Sequence, residues 1–158
     1  ISTVPNENYY HVPPAAGVNA SIEDMAKWLN AQLGHNPDVL SAQLLEKIQT
    51  PQVNTPGELR SSGWRNERLT GAAYAMGWRV FDYKGHKLVF HGGAVRGYRS
   101  LIAFLPEQDT GLVVLWNSES AAPSAFLPAW FDLALGIQGG DWLGLSDPTG
   151  NSTATDPD

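Results

Sequence analysis

The chain has 158 residues and carries 10 basic against 16 acidic side chains, a net charge of −6. Hydrophobic residues make up 42% and charged residues 16%, which excludes intrinsic disorder, and an acidic chain without a Lys/Arg cluster is no nucleic-acid binder. The absence of cysteine excludes disulfides, zinc fingers, Fe–S clusters and thiol nucleophiles, and no apolar run approaches the roughly 20 residues of a membrane span.

Ile1 is not a start methionine, and no basic-then-apolar leader follows it, so the chain reads as a piece of a longer protein. Residues 1–20 read as a loop, because Tyr9-Tyr10-His11-Val12-Pro13-Pro14 cannot continue a helix. Ser21 with Asp24 resembles a capping box. Ile22, Met25, Ala26, Leu29 and Leu33 then share a helical face with Trp28 beside them, and Gly34 stops the helix. A second helix is predicted from Asn36 as cap and Pro37 at its first position, with Leu40, Leu44 and Ile48 as its stripe and Thr50-Pro51 as its end. Residues 53–70 are polar and read as a solvated loop in which Glu58 and Glu67 offset Arg60, Arg65 and Arg68.

After Gly71 the period changes to that of strands. Tyr74–Asp82, His86–His91 and Tyr98–Leu105 are rich in aromatic and β-branched residues and are separated by turn sequences. Leu112–Trp116 is apolar at every position and reads as a central strand covered on both faces. Short connections make these four strands an antiparallel meander. A final helix is predicted from Ser124 to Leu135, burying Phe126, Trp130, Leu133 and Ala134, with Pro128 near its start. Residues 137–158 fade into Gly, Ser, Thr, Asp and Pro and read as a flexible tail. The organisation is therefore α+β: a loop (1–20), a helical segment with a loop (21–70), an antiparallel sheet with a C-terminal helix (71–136), and the tail.

One segment asks for chemistry. His91-Gly92-Gly93-Ala94-Val95-Arg96-Gly97 ends a strand with three glycines, which weakens the strand unless a ligand or another backbone must come close. His91, at the head of the run, is placed to hydrogen-bond a bound group. The plainer alternative is a tight hairpin with a surface histidine. A phosphate loop is excluded, since the run lacks the Lys-Ser/Thr pair and a following helix. His-Gly-Gly is similar to the oxyanion loop of lipases, but no Gly-x-Ser-x-Gly pentapeptide occurs. His11, His35, His86 and His91 lack metal-ligand spacing, so no metal is predicted, and the first three read as surface residues. The sequons at Asn19 and Asn151 are explained by helix capping and by the polar tail. Trp28, Trp78, Trp116 and Trp130 read as core, while Trp64 and Trp142 stand in loops where a ligand-facing role is open.

The ordered series Ala20-Ser21-Ile22-Glu23-Asp24-Met25-Ala26-Lys27-Trp28-Leu29, Gln49-Thr50-Pro51-Gln52, Tyr74-Ala75-Met76-Gly77-Trp78, His91-Gly92-Gly93, Tyr98–Pro106 and Gly111–Asn117 resembles the C-terminal part of a serine β-lactamase-like hydrolase. The branch is the class C one, which also holds DD-peptidases and other penicillin-binding proteins, D-aminopeptidases and esterases. The resemblance runs from about residue 6 to 136. It implies an active site between a helical subdomain and an antiparallel sheet flanked by helices, built from three motifs: Ser-x-x-Lys, Tyr-x-Asn and Lys-Thr-Gly. His91-Gly92-Gly93 stands at the third motif, so the resemblance makes His91, Gly92 and Gly93 substrate-binding. Together with Ala94, whose amide is implied as an oxyanion-hole donor, His91 and Gly93 are the implied catalytic residues. Such a donor is worth about 3 kcal/mol. No cofactor is implied.

The sequence departs from the family pattern in two ways. His91 replaces Lys and Gly92 replaces Thr, altering two groups that hold a β-lactam carboxylate, so an amide or ester substrate is at least as well supported as a β-lactam. No Ser-x-x-Lys, Tyr-x-Asn or Ser-x-Asn occurs in the 158 residues, and a serine cannot attack without an activating base. The expectation is a C-terminal fragment of a serine acyl hydrolase that is inactive alone. Its partners are the missing N-terminal part, a small acyl substrate, and a second copy joined through an exposed sheet edge. By the resemblance, the complete enzyme is periplasmic or secreted. The alternative is a non-catalytic binding or interaction module derived from the same fold, distinguished by whether the gene continues upstream with the two absent motifs. An unrelated α+β fold would show a sheet order inconsistent with a meander.

Overall fold

A computed structural model describes residues 7–145, which fall into two compact units, one ending at Ser120 and the other starting at Ala121. The first unit is built on a six-stranded sheet in which every strand pairs antiparallel with its sequence neighbour. In order these are β1 (Val53–Asn54), β2 (Leu69–Tyr74), β3 (Arg79–Tyr83), β4 (His86–Val95), β5 (Tyr98–Leu105) and β6 (Thr110–Trp116). The α+β class and the meander stand as the sequence predicts, with two further strands at the N-terminal side.

Among the described residues four helices accompany the sheet in this unit: α1 (Pro13–Ala16), α2 (Ile22–Gln32), α3 (Ala42–Gln49) and α4 (Gly63–Arg68). The capping box of α2 is present, with Ser21 Oγ accepting from the Asp24 amide at 3.1 Å and the Asp24 carboxylate accepting from the Ser21 amide at 3.0 Å. Gly34, at φ +94°, ends α2 in the left-handed region.

Along the strands, residues alternate between two buried faces. On one face Val80, Val89, Ile102 and Phe104 join Ala75 and Trp78, and Met25, Leu29 and Leu33 of α2 with Val113 of β6 pack against them. On the other lie Phe81, Leu88, Phe90, Leu101, Ala103 and Leu105. Gly111 lets α2 approach β6: a Cβ there would stand 2.8 Å from Leu29 Cδ1 and 2.9 Å from the Ala103 carbonyl oxygen.

Several expectations are corrected. The second helix starts at Ala42 with Ser41 as its cap, because Asn36 instead accepts the amides of Val39 and Leu40 in a turn. Tyr74–Asp82 is two strands, split by a turn in which Gly77 takes φ +83° and the Ala75 amide donates to the Trp78 carbonyl at 2.7 Å. Residues 53–70 form β1, a 3₁₀ turn over Pro56–Arg60, α4 and the start of β2 rather than a solvated loop. β6 ends the strand order and is neither central nor covered on both faces, since none of its residues is fully buried and Leu115 is exposed. Ile22 and Trp28 of α2 are 54% and 41% exposed, outside the predicted core.

The second unit holds a 3₁₀ turn at Ala122–Ala125 and α5 (Phe126–Ala134). Leu127, Phe131 and Asp132 are buried there, whereas Phe126, Trp130 and Leu133 are exposed, the reverse of the predicted face. The one charged residue of Phe-Leu-Pro-Ala-Trp-Phe-Asp-Leu-Ala, Asp132, is itself buried, so the polar position lies on the inner side rather than on the outer one. Pro128 sits in the first turn, where its missing N–H is not needed. The Trp142 indole donates to Asp132 Oδ2 at 2.7 Å, which gives that tryptophan a structural contact. The flexible tail expected from residue 137 onward lies outside the described residues beyond 145, as do the Asn151 sequon and the first six residues of the predicted loop.

Candidate active site

The glycine run is not the frayed end of a strand. His91, Gly92, Gly93, Ala94 and Val95 continue β4 and pair in register with Ile102, Leu101, Ser100, Arg99 and Tyr98 of β5. The hairpin comes afterward, at Arg96-Gly97, where Gly97 takes φ +82°. On the other side β3 pairs with β4 only as far as Arg79 opposite Phe90. Beyond Phe90, β4 therefore has a paired edge toward β5 and no strand on the β3 side among the described residues. Main-chain groups alternate between the two edges of a strand, so this stretch offers N–H and C=O groups to whatever lies along it.

The two adjacent glycines have different surroundings. A Cβ at Gly93 would collide with Ser100 Oγ on the cross-strand residue, so this hydroxyl occupies the room that a side chain would take. A Cβ at Gly92 would make only ordinary contact, 3.7 Å from Phe90 Cζ. Ala94 is exposed, and His91, Gly92 and Gly93 are half-buried. By strand alternation His91, Gly93 and Ser100 lie on the face that carries Val89 and Ile102.

Burial of the His91 imidazole pushes its pKa below the ordinary 6.5, the nearby Arg79 cation pushes it further down, and a hydrogen bond with the Gly92 backbone opposes both. At neutral pH the side chain is therefore an uncharged imidazole, able to donate one hydrogen bond and accept another. Because folding lowers proton affinity here, the unfolded chain takes up a proton that the folded chain resists. The associated stability is fully present above 6.5 and is lost as pH falls through the lowered value. A proton-resolved titration should place the His91 midpoint below 6.5. The unfolding free energy should fall on acidification from 6.5 downward, more steeply in the native chain than in His91→Ala. A midpoint above 6.5 would reverse this reading.

Arg79 belongs to a charged cluster that the sequence did not reveal. Glu58 Oε1 lies 3.5 Å from Arg79 Nε, and the other oxygen of the same carboxylate accepts from Arg65 Nη1. The Arg65 guanidinium stacks over Trp64, Phe81 and Phe90, with ring centres at 5.3, 5.3 and 5.5 Å. Arg65 is thus packed rather than solvated, with its side chain 15% exposed. Trp64, in α4, faces Tyr83 with ring centres 6.3 Å apart. The other histidines stand apart from the site: His11 is exposed, His35 contacts Asp109 at 2.6 Å, and His86 contacts Gln108 at 3.1 Å. Among the described residues no group of three His, Asp or Glu is arranged to hold a metal ion, and no helix is long and apolar enough to cross a membrane.

A meander whose fourth strand carries a glycine run with one open edge, headed by a half-buried histidine, agrees with the sheet implied by the resemblance to a serine β-lactamase-like fold. The chain belongs to the Beta-lactamase family, whose model matches residues 2–136. It is 31% identical over 115 residues to the unguisins hydrolase ungD' of Aspergillus campestris, a match covering 73% of this chain and 20% of that protein. It is 33% identical over 107 residues to Protein flp of Staphylococcus aureus, covering 68% of this chain and 19% of that protein. Among solved structures it is similar to the octameric penicillin-binding protein homologue from Pyrococcus abyssi, with a TM-score of 0.66, 28% identity, and coverage of 80% of this chain and 26% of that one. The chain thus spans about a fifth of the length of the curated relatives it matches.

Proposed function

We propose that this chain forms the sheet wall of a serine acyl hydrolase site whose nucleophile and general base come from another segment of the same protein. The observation that carries the reading is the run His91–Val95, paired on one edge and, among the described residues, without a strand on the other, with a half-buried imidazole at its head. A substrate lies along this edge. His91 hydrogen-bonds it, Gly92 and Gly93 allow its close approach, and the Ala94 amide donates to the carbonyl oxygen as negative charge develops there. The nucleophile's own amide supplies the second donor, and the attacking hydroxyl loses its proton to the base of the absent Tyr-x-Asn motif.

The uncharged His91, with Gly92 in place of a hydroxyl residue, favours esters, amides or D-amino peptides over a β-lactam carboxylate, which a lysine cation would hold better. A hydrolase and a penicillin-binding protein homologue among the similar proteins agree with an acyl-transfer site. The outer edge of β6, which pairs with no strand among the described residues, receives a strand of the N-terminal part of the complete protein or, without it, the same edge of a second copy. By family, the complete enzyme works in the periplasm or outside the cell.

The test is covalent labelling by a fluorescent penicillin, together with hydrolysis of a p-nitrophenyl ester panel, on the complete protein and on the 158-residue chain. The complete protein is expected to be labelled or to turn over an ester, and the chain alone to do neither. Labelling of the chain alone would overturn the division of labour. A complete protein inert to both would favour the non-catalytic binding module.

A further inference from the structure

We propose that Glu119 is a positioning residue that fastens the β4–β5 hairpin and so holds the backbone of Gly93 and Ala94 in place. The turnover effect rests on the acyl-hydrolase reading above, whereas the fastening is a property of the hairpin itself. Gly92, Gly93 and Ala94 contribute a single methyl group between them, and strands poor in side-chain contacts open locally at low free energy. The ladder here is closed by Ala94 opposite Arg99 and Val95 opposite Tyr98, next to a loop of only Arg96 and Gly97.

One carboxylate spans this end. Glu119 Oε1 accepts the Gly97 amide at 2.7 Å, and its other oxygen accepts from Arg99 Nη2. Arg99 Nη1 in turn reaches the Val95 carbonyl at 3.4 Å. The turn, β5 and the last residue of β4 are therefore joined through two side chains, Glu119 and Arg99, by charge-assisted bonds. The segment carrying Glu119 is itself held, since the Trp116 indole donates to the Ser120 carbonyl at 3.0 Å and the Ser120 amide to Ser118 Oγ at 3.0 Å. An exposed Arg–Glu pair alone would contribute little. The bond to a main-chain amide at the turn distinguishes this one, because it constrains the backbone and not merely two flexible side chains.

Hydrogen exchange by mass spectrometry on the 158-residue chain tests the fastening, and kinetics of the complete enzyme test its consequence. In Glu119→Ala the peptide spanning residues 92–99 is expected to exchange about tenfold faster or more, with the peptides around Val89 and Phe104 unchanged. Glu119→Gln keeps an acceptor for Gly97 and should fall between. In the complete enzyme Glu119→Ala lowers kcat more than it raises KM, and Glu119→Gln restores part of the loss. Unchanged exchange over 92–99 would overturn the fastening. Faster exchange with unchanged kcat would overturn the positioning role. Should the native complete protein show no acyl turnover, the hydrolase reading fails by itself, and the exchange result alone then decides whether Glu119 holds the hairpin.

Discussion

In the complete enzyme, His91→Ala lowers kcat about tenfold, the upper end of what one uncharged hydrogen bond to the reacting substrate supplies, while the melting temperature changes little. The separation of the two effects follows from the ladder. The conformation of residues 91–95 is set by main-chain pairing with β5, so removing the imidazole takes away a hydrogen-bonding group without releasing the strand. His91→Asn, which retains an uncharged donor and acceptor, should lose less than alanine. Initial rates on the best ester substrate, read beside a thermal melt, check both statements. An unchanged kcat in His91→Ala would remove this residue from the site.

The second large effect is on stability. Phe104→Ala is expected to cost about 3–5 kcal/mol, the usual range for truncating a fully buried aromatic residue. Phe104 is wholly buried and meets Trp78 edge-on, with ring centres 5.3 Å apart at 87°. The same cluster receives Met25, Leu29 and Leu33 of α2, so a cavity there loosens the helix as well as the strand. Phe126→Ala, at a site 48% exposed, should stay within about 0.5 kcal/mol. Urea unfolding of the two variants measures the contrast, and equal losses would contradict the burial described above.

Both residues were within reach of the sequence to different degrees. Phe104 sits in the alternating run Tyr98–Leu105, which the period assigns to a strand, and the capping pair Ser21–Asp24 locates α2 because capping is local chemistry. His91 and its glycines stood out because three glycines in a strand demand a reason. The face buried by α5 was not legible, since its one charged residue, Asp132, lies on the buried side, where the period expects an apolar one. Nor was the edge position of β6, because an apolar run reports contact and not order. Arg79 and Glu119 were missed for a third reason. Arg79 meets Glu58 across 21 positions, and Glu119 meets Gly97 across 22, distances over which no periodicity carries information. Their charges in the sequence are indistinguishable from those of solvated residues.

The unequal surroundings of the two neighbouring glycines bear on how this surface can change over time. Position 93 is crowded by the hydroxyl across from it, so a side chain there requires Ser100 Oγ to rotate away. Position 92 has room, and position 91 carries a side chain that the strand pairing does not depend on. Two point substitutions at 91 and 92 can therefore change the side chains along this edge upon an unaltered backbone. A lineage could pass through changes at both positions by intermediates that all keep the same ladder.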